Sequence, residues 1–310
     1  MKSSQHFSVD VCVNVLGKPY QTALSILSLL KYSATHISKI YIILEKNNKA
    51  SHVKQIKSLL DHLKVDIVYY TPKNWYWVYP LDRRGFKQED IRDGLRYQFA
   101  FENSDSKLIY VMHNDVVHYT DVLQIYHSAI KGHIAVGNIG MCHNCPAFWS
   151  KKCSKDKYMS YQPRIDELRK IYNEADPPSG WKGFMYHLED FCEEFRENPW
   201  PLPCCRVNEF SCLIDLDKYR STTTPYGDCH PFGAYGSCGG YLLDIGCNWF
   251  HDVHLRGFTC KNITLSQSEF IHIGGHSAMF SKDLYFQNEL RAYQELKSHF
   301  NINILDHDFE

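Results

Sequence analysis

The first half of the chain alternates between short stretches with strand periodicity and longer stretches with helical periodicity. Apolar residues occupy every second position from Phe7 to Val15, the period of a strand. Leu24, Leu27 and Leu30 recur instead at helical spacing. The two patterns repeat and predict strands at 7–16, 40–44, 65–70 and 107–112 and helices at 22–32, 51–63 and 88–102. This order predicts an α/β fold with a mostly parallel sheet flanked by helices.

The pattern changes after residue 137. Residues 138–206 are rich in cysteine, proline, glycine and aromatic side chains, and they predict an irregular insertion with helices at 164–175 and 188–197. Regular patterns then return, with strands predicted at 210–216, 258–263 and 269–273 and helices at 242–255 and 284–300. We therefore expect an α/β half at 1–137, a Cys-rich insertion at 138–206, and a second half at 207–310 that completes the same domain.

Charge and composition exclude some classes of protein. In 310 residues, 34 Lys and Arg face 35 Asp and Glu, which gives a net charge of −1. This balance excludes bulk electrostatic attraction to DNA or to an acidic membrane. No apolar run approaches the roughly 20 residues that cross a bilayer. We therefore expect a soluble, cytoplasmic protein with no transmembrane segment.

The fourth predicted strand ends in a polar cluster, His113-Asn114-Asp115. In open α/β sheets, ligands bind beyond the carboxyl ends of the strands. A carboxylate at that position can hold a divalent cation, which in turn neutralises a diphosphate. Asn114 and Asp115 are therefore candidates for cofactor binding, and the alternative is that Asp115 only caps the following turn.

Other strand ends carry candidates that suit a nucleotide. Asn14 and Glu45 lie at the ends of the first two strands, where a carboxylate often accepts ribose hydroxyls. Trp75 follows the third strand and can stack on a base or a sugar. The arginines that precede the fourth strand and can neutralise phosphate are Arg83, Arg84 and Arg92. Each residue also has a structural alternative, as a solvated charge or as part of the core.

Taken in order, these motifs resemble those of family 2-type glycosyltransferases with the nucleotide-sugar-binding fold known as GT-A. The resemblance begins at residues 11–15, continues through 40–45 and 92–103, and resumes at 270–277. At its centre, His113-Asn114-Asp115 stands in the place of the family's Asp-x-Asp, with His113 replacing the first Asp. The resemblance implies transfer of a sugar from a nucleotide donor, usually with Mg²⁺ or Mn²⁺. It also implies that 1–137 binds the nucleotide sugar and that 207–310 holds the acceptor and the catalytic group.

The resemblance further implies individual roles. A UDP-sugar is the implied donor, and the implied metal ligands are Asp115 with His272 first and His276 second. An inverting transferase needs a carboxylate that deprotonates the acceptor hydroxyl. Asp244 is the best positional match for this base, and Asp228, in a loop with a glycine, is its competitor.

Five of the twelve cysteines are concentrated in or beside the irregular insertion: Cys142, Cys145, Cys153, Cys204 and Cys205. A CxxC turn supplies two of the four soft ligands of a tetrahedral Zn²⁺. A metal would also help a segment with little regular structure to fold. We therefore predict a structural Zn²⁺ on the first three cysteines and one of Cys204 or Cys205, with buried free thiols as the alternative.

The acceptor is expected to be a glycan or a lipid-linked glycan, because the insertion carries aromatic side chains that can stack on a sugar. A hydroxylated DNA base is a second candidate acceptor, supported by the lysines within 151–157 and disfavoured by the balanced charge. Two other classes stay open. One is a zinc-stapled carbohydrate- or nucleotide-binding module on a degenerate transferase fold. The other is a nucleotidyltransferase, which the lack of a Gly-rich loop after the first strand disfavours.

Overall fold

The computed structural model describes residues 7–76, 81, 83–175, 196–200, 204–238, 241–273 and 281–300. The strands within these ranges are β1 Val9–Val15, β2 Ile37–Leu44, β3 Asp66–Tyr70, β4 Leu108–His113, β5 Val116–His118, β6 Ala135–Gly140, β7 Arg206–Asp215, β8 Gly236–Cys238, β9 Tyr241–Leu243, β10 Cys260–Asn262 and β11 Phe270–His272. The helices are α1 Pro19–Ser33, α2 Ala50–Leu60, α3 Glu89–Arg92, α4 Gln98–Asn103, α5 Val122–Ala129, α6 Pro146–Trp149, α7 Ile165–Glu174, α8 Leu216–Thr222, α9 Cys247–Leu255 and α10 Lys282–Phe300. Among the described helices, none combines the length and the apolar character needed to cross a bilayer.

The main sheet has seven strands in the described part of the chain, in the order β10-β6-β7-β4-β1-β2-β3. β1 pairs in parallel with β2 and β4, β2 with β3, and β6 with β10. β7 alone runs antiparallel to its two neighbours, β4 and β6. The predicted α/β fold with a mostly parallel sheet flanked by helices is confirmed. Because β7 follows the Cys-rich segment and pairs between β4 and β6, the chain on both sides of that segment contributes to one sheet.

Both faces of the sheet are covered, which explains the composition of its central strands. Every residue of β1 is buried, although its apolar alternation predicts one buried face. Val11 and Val13 belong to a cluster that includes Leu24 of α1, whereas Cys12 belongs to the cluster of Phe101 on the opposite face. A parallel sheet is stable only when helices cover both faces, so its strands are apolar almost throughout.

Two predicted helices are shorter than their sequence patterns indicate. The helix expected at 88–102 is divided into α3 and α4, because Tyr97 has a left-handed backbone with φ 67°. Its buried phenol donates a 3.0 Å hydrogen bond to Glu209, and this tertiary contact supports the unfavourable conformation. The helix expected at 242–255 begins only at Cys247, after Gly246 with φ 81°. Asp244 therefore lies in the turn between β9 and α9.

Several elements were not predicted, and one prediction lies outside the described residues. The longest of the unpredicted elements are α5 and β6 together with α8, and β6 carries glycine at two of its six positions. The shorter ones are β5, α6, β8 and β9. The helix expected at 188–197 falls almost entirely in residues that are not described. β5 and β11 form a small antiparallel sheet beside the main one, in which His272 pairs with Val116.

A carboxylate from the far end of the chain caps the start of α1. Lys18 precedes this helix in a left-handed conformation and offers no side-chain cap. Glu289 of α10 accepts hydrogen bonds from the backbone N–H groups of Tyr20 at 3.0 Å and Gln21 at 3.1 Å. The first N–H groups of a helix have no partner within the helix, so Glu289 supplies a cap that α1 lacks locally.

Candidate active site

One edge of the main sheet collects the polar residues that interrupt its apolar strands. Asn14, Glu45 and His113 lie at the carboxyl ends of the parallel strands β1, β2 and β4. β7 is antiparallel to β4, so its beginning, with Glu209, lies at the same edge. The small sheet adds His272, because the N–H of the next residue, Ile273, donates to the carbonyl of Asp115 at 2.8 Å.

His113, Asp115 and His272 form a triangle of donor atoms. His272 Nε2 lies 3.0 Å from Asp115 Oδ1 and 3.4 Å from His113 Nδ1, and the third side, from His113 Nδ1 to Asp115 Oδ1, is 3.9 Å. These three residues meet as a possible metal-ligand group, with all donor atoms within 4.8 Å of one another. Bonds of roughly 2.1 Å to one ion place neighbouring ligand atoms about 3.0–3.5 Å apart. The triangle therefore fits a single divalent ion, whereas His276 lies outside the described residues.

The second oxygen of Asp115 faces a cation. Lys18 Nζ lies 2.6 Å from Asp115 Oδ2, so the two carboxylate oxygens serve different partners. Burial of Asp115 acts to raise its pKa. The hydrogen bond from His272 and the charges of Lys18, His272 and His113 outweigh burial and hold the pKa well below its usual range. Asp115 is therefore ionised over the whole physiological range of pH, as a metal-binding carboxylate must be.

Glu209 contacts His113 through the ring nitrogen that is not part of the triangle, and the sequence analysis did not identify this glutamate. It is 5% exposed, and Oε1 lies 3.4 Å from His113 Nε2. Burial acts to raise its pKa, but the hydrogen bond from His113 and the charges of His113, Arg206 and Arg96 hold that pKa at about 2. Metal-binding histidines typically use their second nitrogen for such a partner. A charged residue inside the buried strand β7 was the available sequence signal.

A buried ion-pair chain joins this triangle to the ends of β1 and β2. Arg96 lies 3.9 Å from Glu209 and 3.4 Å from Glu45, whose other neighbour is the Asn14 amide at 2.6 Å. Burial raises the pKa of Glu45, and it outweighs the opposing effects of Arg96 and Asn14. Arg96, another residue that the sequence analysis missed, therefore connects the predicted nucleotide residues to the predicted metal residues.

The same chain extends to Asp244. Arg206 Nη1 lies 3.8 Å from Glu209, and its Nη2 lies 3.1 Å from Asp244 Oδ2. Asp244 Oδ1 accepts the N–H of Ile245 at 2.8 Å, and the side chain is 31% exposed. Asp244 thus stands at the solvent end of a network that begins at the triangle.

Asp228 belongs to a different cluster. Its side chain is exposed, and its backbone carbonyl accepts a hydrogen bond from Arg83 at 3.2 Å. Arg83 also contacts Asp252 at 3.2 Å, and Asp252 accepts hydrogen bonds from the ring and the backbone of His230, both at 2.8 Å. Arg83 therefore pairs with the buried Asp252. The contacts described for this cluster do not reach the triangle.

Three other predicted residues face the protein or the solvent. Arg92 is buried, and its guanidinium binds Glu102 at 2.6 Å and the carbonyls of Phe86 and Lys87, so it is a structural cation. The amide of Asn114 donates to Thr22 of α1 at 3.0 Å. Arg84 is exposed. The role of Arg92 and Asn114 in cofactor binding stays a prediction, and in this structure both side chains contact the protein.

A cleft lies beside Glu45, at the ends of β2 and β3. It is open to solvent and is lined by Lys46, Asn47, Asn74, Trp75 and Tyr76. The indole N–H of Trp75 is buried and has no acceptor among the described residues. The same is true of three side-chain atoms of the ion-pair chain: Asn14 Oδ1, Arg96 Nε and Arg206 Nε. Such unpartnered buried polar atoms are unusual in a folded protein.

The five predicted zinc cysteines meet at a separate place. Cys142, Cys145, Cys153, Cys204 and Cys205 all line one small cavity next to the end of β6. The convergence joins segments about fifty residues apart in the sequence.

Comparisons with known proteins complete the description. No family model and no curated protein matches the sequence. Similar solved structures include the galactosyltransferase LgtC with donor and acceptor sugar analogues, which is 10% identical; the match covers 96% of this chain and 98% of that chain with a TM-score of 0.48. The mannosyltransferase PcManGT from Pyrobaculum calidifontis with GDP-Man and Mn²⁺ is 8% identical, and the match covers 97% of this chain and 77% of that chain with a TM-score of 0.45. Core-mannan synthase A from Aspergillus fumigatus in its Mn/GDP form is 11% identical, and the match covers 88% of this chain and 76% of that chain with a TM-score of 0.41. At these identities and TM-scores, neither an activity nor a residue role passes to this chain.

Proposed function

We propose that this protein is a metal-assisted glycosyltransferase that moves a sugar from a nucleotide-sugar donor to a hydroxyl acceptor. The observation that carries the proposal is the donor triangle of His113, Asp115 and His272 at the edge of the sheet. Parallel α/β sheets bind their ligands at this edge. The ion-pair chain through Glu209 and Arg96 links the triangle to the end of β2, where the cleft fits a nucleoside.

The triangle would hold a divalent ion through two imidazoles and one carboxylate. A bound ion would act as a Lewis acid that stabilises the departing nucleotide diphosphate. Mg²⁺ prefers oxygen ligands and keeps several waters, whereas imidazole suits transition metals. The donor set therefore favours Mn²⁺ over Mg²⁺. Lys18, beside the second oxygen of Asp115, adds positive charge where a diphosphate would lie.

The cleft beside Glu45 is the proposed nucleoside site. Trp75 and Tyr76 line this cleft and supply aromatic surface for a base. Glu45 and Asn14, at the ends of their strands, are the proposed partners of the ribose hydroxyls. A UDP-sugar remains the predicted donor, and a panel of UDP-, GDP- and dTDP-sugars tests that prediction.

Asp244 is the proposed general base, and the acceptor is proposed to be a glycan or lipid-linked glycan. Arg206 fixes one of its carboxylate oxygens, and its partial exposure leaves the group accessible to an acceptor. As the acceptor oxygen attacks the anomeric carbon, its proton passes to Asp244. The bond from that carbon to the diphosphate breaks, and its electron pair leaves with the diphosphate. Attack opposite the leaving group gives inversion. Asp228 is less favoured because its cluster is built around Arg83 and Asp252, whereas Asp244 joins the network of the triangle through Arg206.

The metal assignment is tested with Mn²⁺ and the donor panel. We expect Asp115→Asn and His272→Gln each to weaken Mn²⁺ binding and to lower Mn²⁺-dependent donor hydrolysis at least about 100-fold, since each removes a direct ligand. Asp105→Asn is the matched control, because that carboxylate is 93% exposed and lies at the other end of β4. If Asp115→Asn binds Mn²⁺ and turns over normally, the proposal is wrong.

The base assignment is tested by comparing two aspartates. Asp244→Asn is expected to lower transfer about 10²–10⁴-fold while nucleotide affinity is unchanged, because the proton acceptor is lost and the proposed nucleoside site is not altered. Asp228→Asn is the paired control and should be close to wild type. Proton NMR of the product reports whether the anomeric configuration is inverted. A wild-type protein that binds a nucleotide sugar tightly but turns over no donor or acceptor would favour the binding-module alternative.

A further inference from the structure

The cysteine cavity is a second site, separate from the triangle. Cys142 and Cys145 lie just after β6, Cys153 follows α6, and Cys204 and Cys205 lie just before β7. The cavity they line has a volume of about 10 Å³, which is room for one atom-sized guest. Other described cysteines, such as Cys12 and Cys260, are buried in strands of the main sheet.

The contacts within the cavity distinguish Cys204 from Cys205. Cys142 and Cys153 interact electrostatically with each other, with Cys145 and with Cys205, but Cys204 is not among their main partners. Cys204 instead hydrogen-bonds to Cys145 and Cys205 and faces Tyr172 in the core. All five thiols line the cavity, and Cys204 is the most deeply buried of them, with its sulfur already engaged by two neighbouring thiols.

The chemistry and placement of these side chains suit a metal. Soft sulfur ligands around one enclosed position are the donor set that structural zinc requires. The cavity is lined by five thiols that come from three separate segments of the chain. This convergence favours a bound metal over packing alone.

We propose that Cys142, Cys145, Cys153 and Cys205 bind one structural Zn²⁺, with Cys204 as a buried neighbour and not a ligand. Four sulfur ligands in a closed site are the usual environment of structural zinc. Within the described residues, His113, Asp115 and His272 are the only group whose donor atoms all lie within 4.8 Å of one another. The four cysteine sulfurs lie farther apart than this, so their side chains must rotate inward to bind one ion.

The position of this site suggests what the ion would stabilise. It would join the chain after β6 to the residue that precedes Arg206, the first residue of β7. Arg206 and Glu209 extend from that strand into the candidate active site. The zinc would thus fix the entry of β7 into the sheet, and its presence does not depend on the proposed transferase activity.

The test measures metal directly in the full-length protein. Protein expressed with added zinc and freed of loosely bound metal is assayed by mass spectrometry for zinc per chain. We expect about one zinc in the wild type and in Cys204→Ser, and less than a tenth of that in Cys205→Ser. The neighbouring cysteine serves as the matched control because both variants make the same chemical change at adjacent positions.

Cobalt substitution of the wild type gives a readout that no variant's folding can affect. Titration with Co²⁺ should produce a thiolate-to-cobalt charge-transfer band and the visible bands of a tetrahedral site. Absence of stoichiometric zinc together with absence of these bands would overturn the proposal, as would a Cys145–Cys204 disulfide found by peptide mapping. Loss of zinc in Cys204→Ser with retention in Cys205→Ser would overturn the choice of ligands. Donor hydrolysis is not measured, so failure here leaves the proposed function unaffected.

Discussion

His118 makes the stability of the protein depend on pH in a way that can be measured. It ends β5 and is 1% exposed, with Nε2 at 2.9 Å from the hydroxyl of Tyr110 and Nδ1 at 3.3 Å from that of Ser28. Burial lowers its pKa from the ordinary 6.5 to about 3. The folded protein therefore keeps this imidazole neutral at pH values where an unfolded chain protonates it.

The sign and size of the effect follow from proton linkage. Because the folded pKa is depressed, the stabilising contribution is complete above pH 6.5 and is lost as the pH falls towards 3. Each proton bound only by the unfolded state costs about 1.4 kcal/mol per pH unit. Between pH 7.5 and pH 5, His118 alone should lower the free energy of unfolding by about 2 kcal/mol.

Urea denaturation followed by tryptophan fluorescence at several pH values measures this loss. We compare wild type with His118→Asn, using the change in unfolding free energy with pH and not its absolute value, since the substitution also alters packing. The variant should lose about 2 kcal/mol less than wild type over this interval. His62→Asn, at an exposed position, is the control and should match wild type. Equal pH dependence in wild type and His118→Asn would refute the reasoning.

Three further predictions concern single side chains. Glu209→Gln should weaken Mn²⁺ binding about 10–100-fold by calorimetry, since it removes the charged partner of His113; unchanged affinity would show that Glu209 does not orient that ring. Glu289→Gln should lower the free energy of unfolding by about 1–3 kcal/mol, because an amide NH₂ then faces an N–H of α1; a loss below the error of urea denaturation would argue against the cap. Gly137→Ala should cost about 1–3 kcal/mol, because an added Cβ would lie 2.8 Å from side-chain atoms of Cys212 and Val207; a Tm equal to that of wild type would contradict this.

The sequence predicted the first half of the fold well because its local and tertiary preferences agree. Strands such as β2 are apolar runs, and helices such as α2 have one apolar face, so periodicity alone locates them. β6 was missed because Gly137 and Gly140 weaken its strand pattern, although close contact with β7 requires a small residue at Gly137. The break at Tyr97 was missed because its cause, the hydrogen bond to Glu209, joins residues 112 positions apart.

The candidate site was partly predictable for the same reason. Asp115 and Glu45 are polar residues that end apolar strands, and this local contrast identifies them. Arg96 and Glu209 lie within otherwise ordinary segments, and their role depends on which charges the fold brings beside them. Arg92, four positions before Arg96, has the same chemistry but faces Glu102. Residue type alone does not distinguish two arginines on opposite sides of a turn.

The cap on α1 also has a consequence for protein synthesis. Glu289 lies 269 residues after Tyr20, whose N–H it accepts. While the chain is on the ribosome, α1 has no partner for these N–H groups until α10 has emerged. Lys18, the residue before α1, contacts Asp115. The start of α1 beside the candidate metal site therefore receives its cap only when translation of the described chain is almost finished.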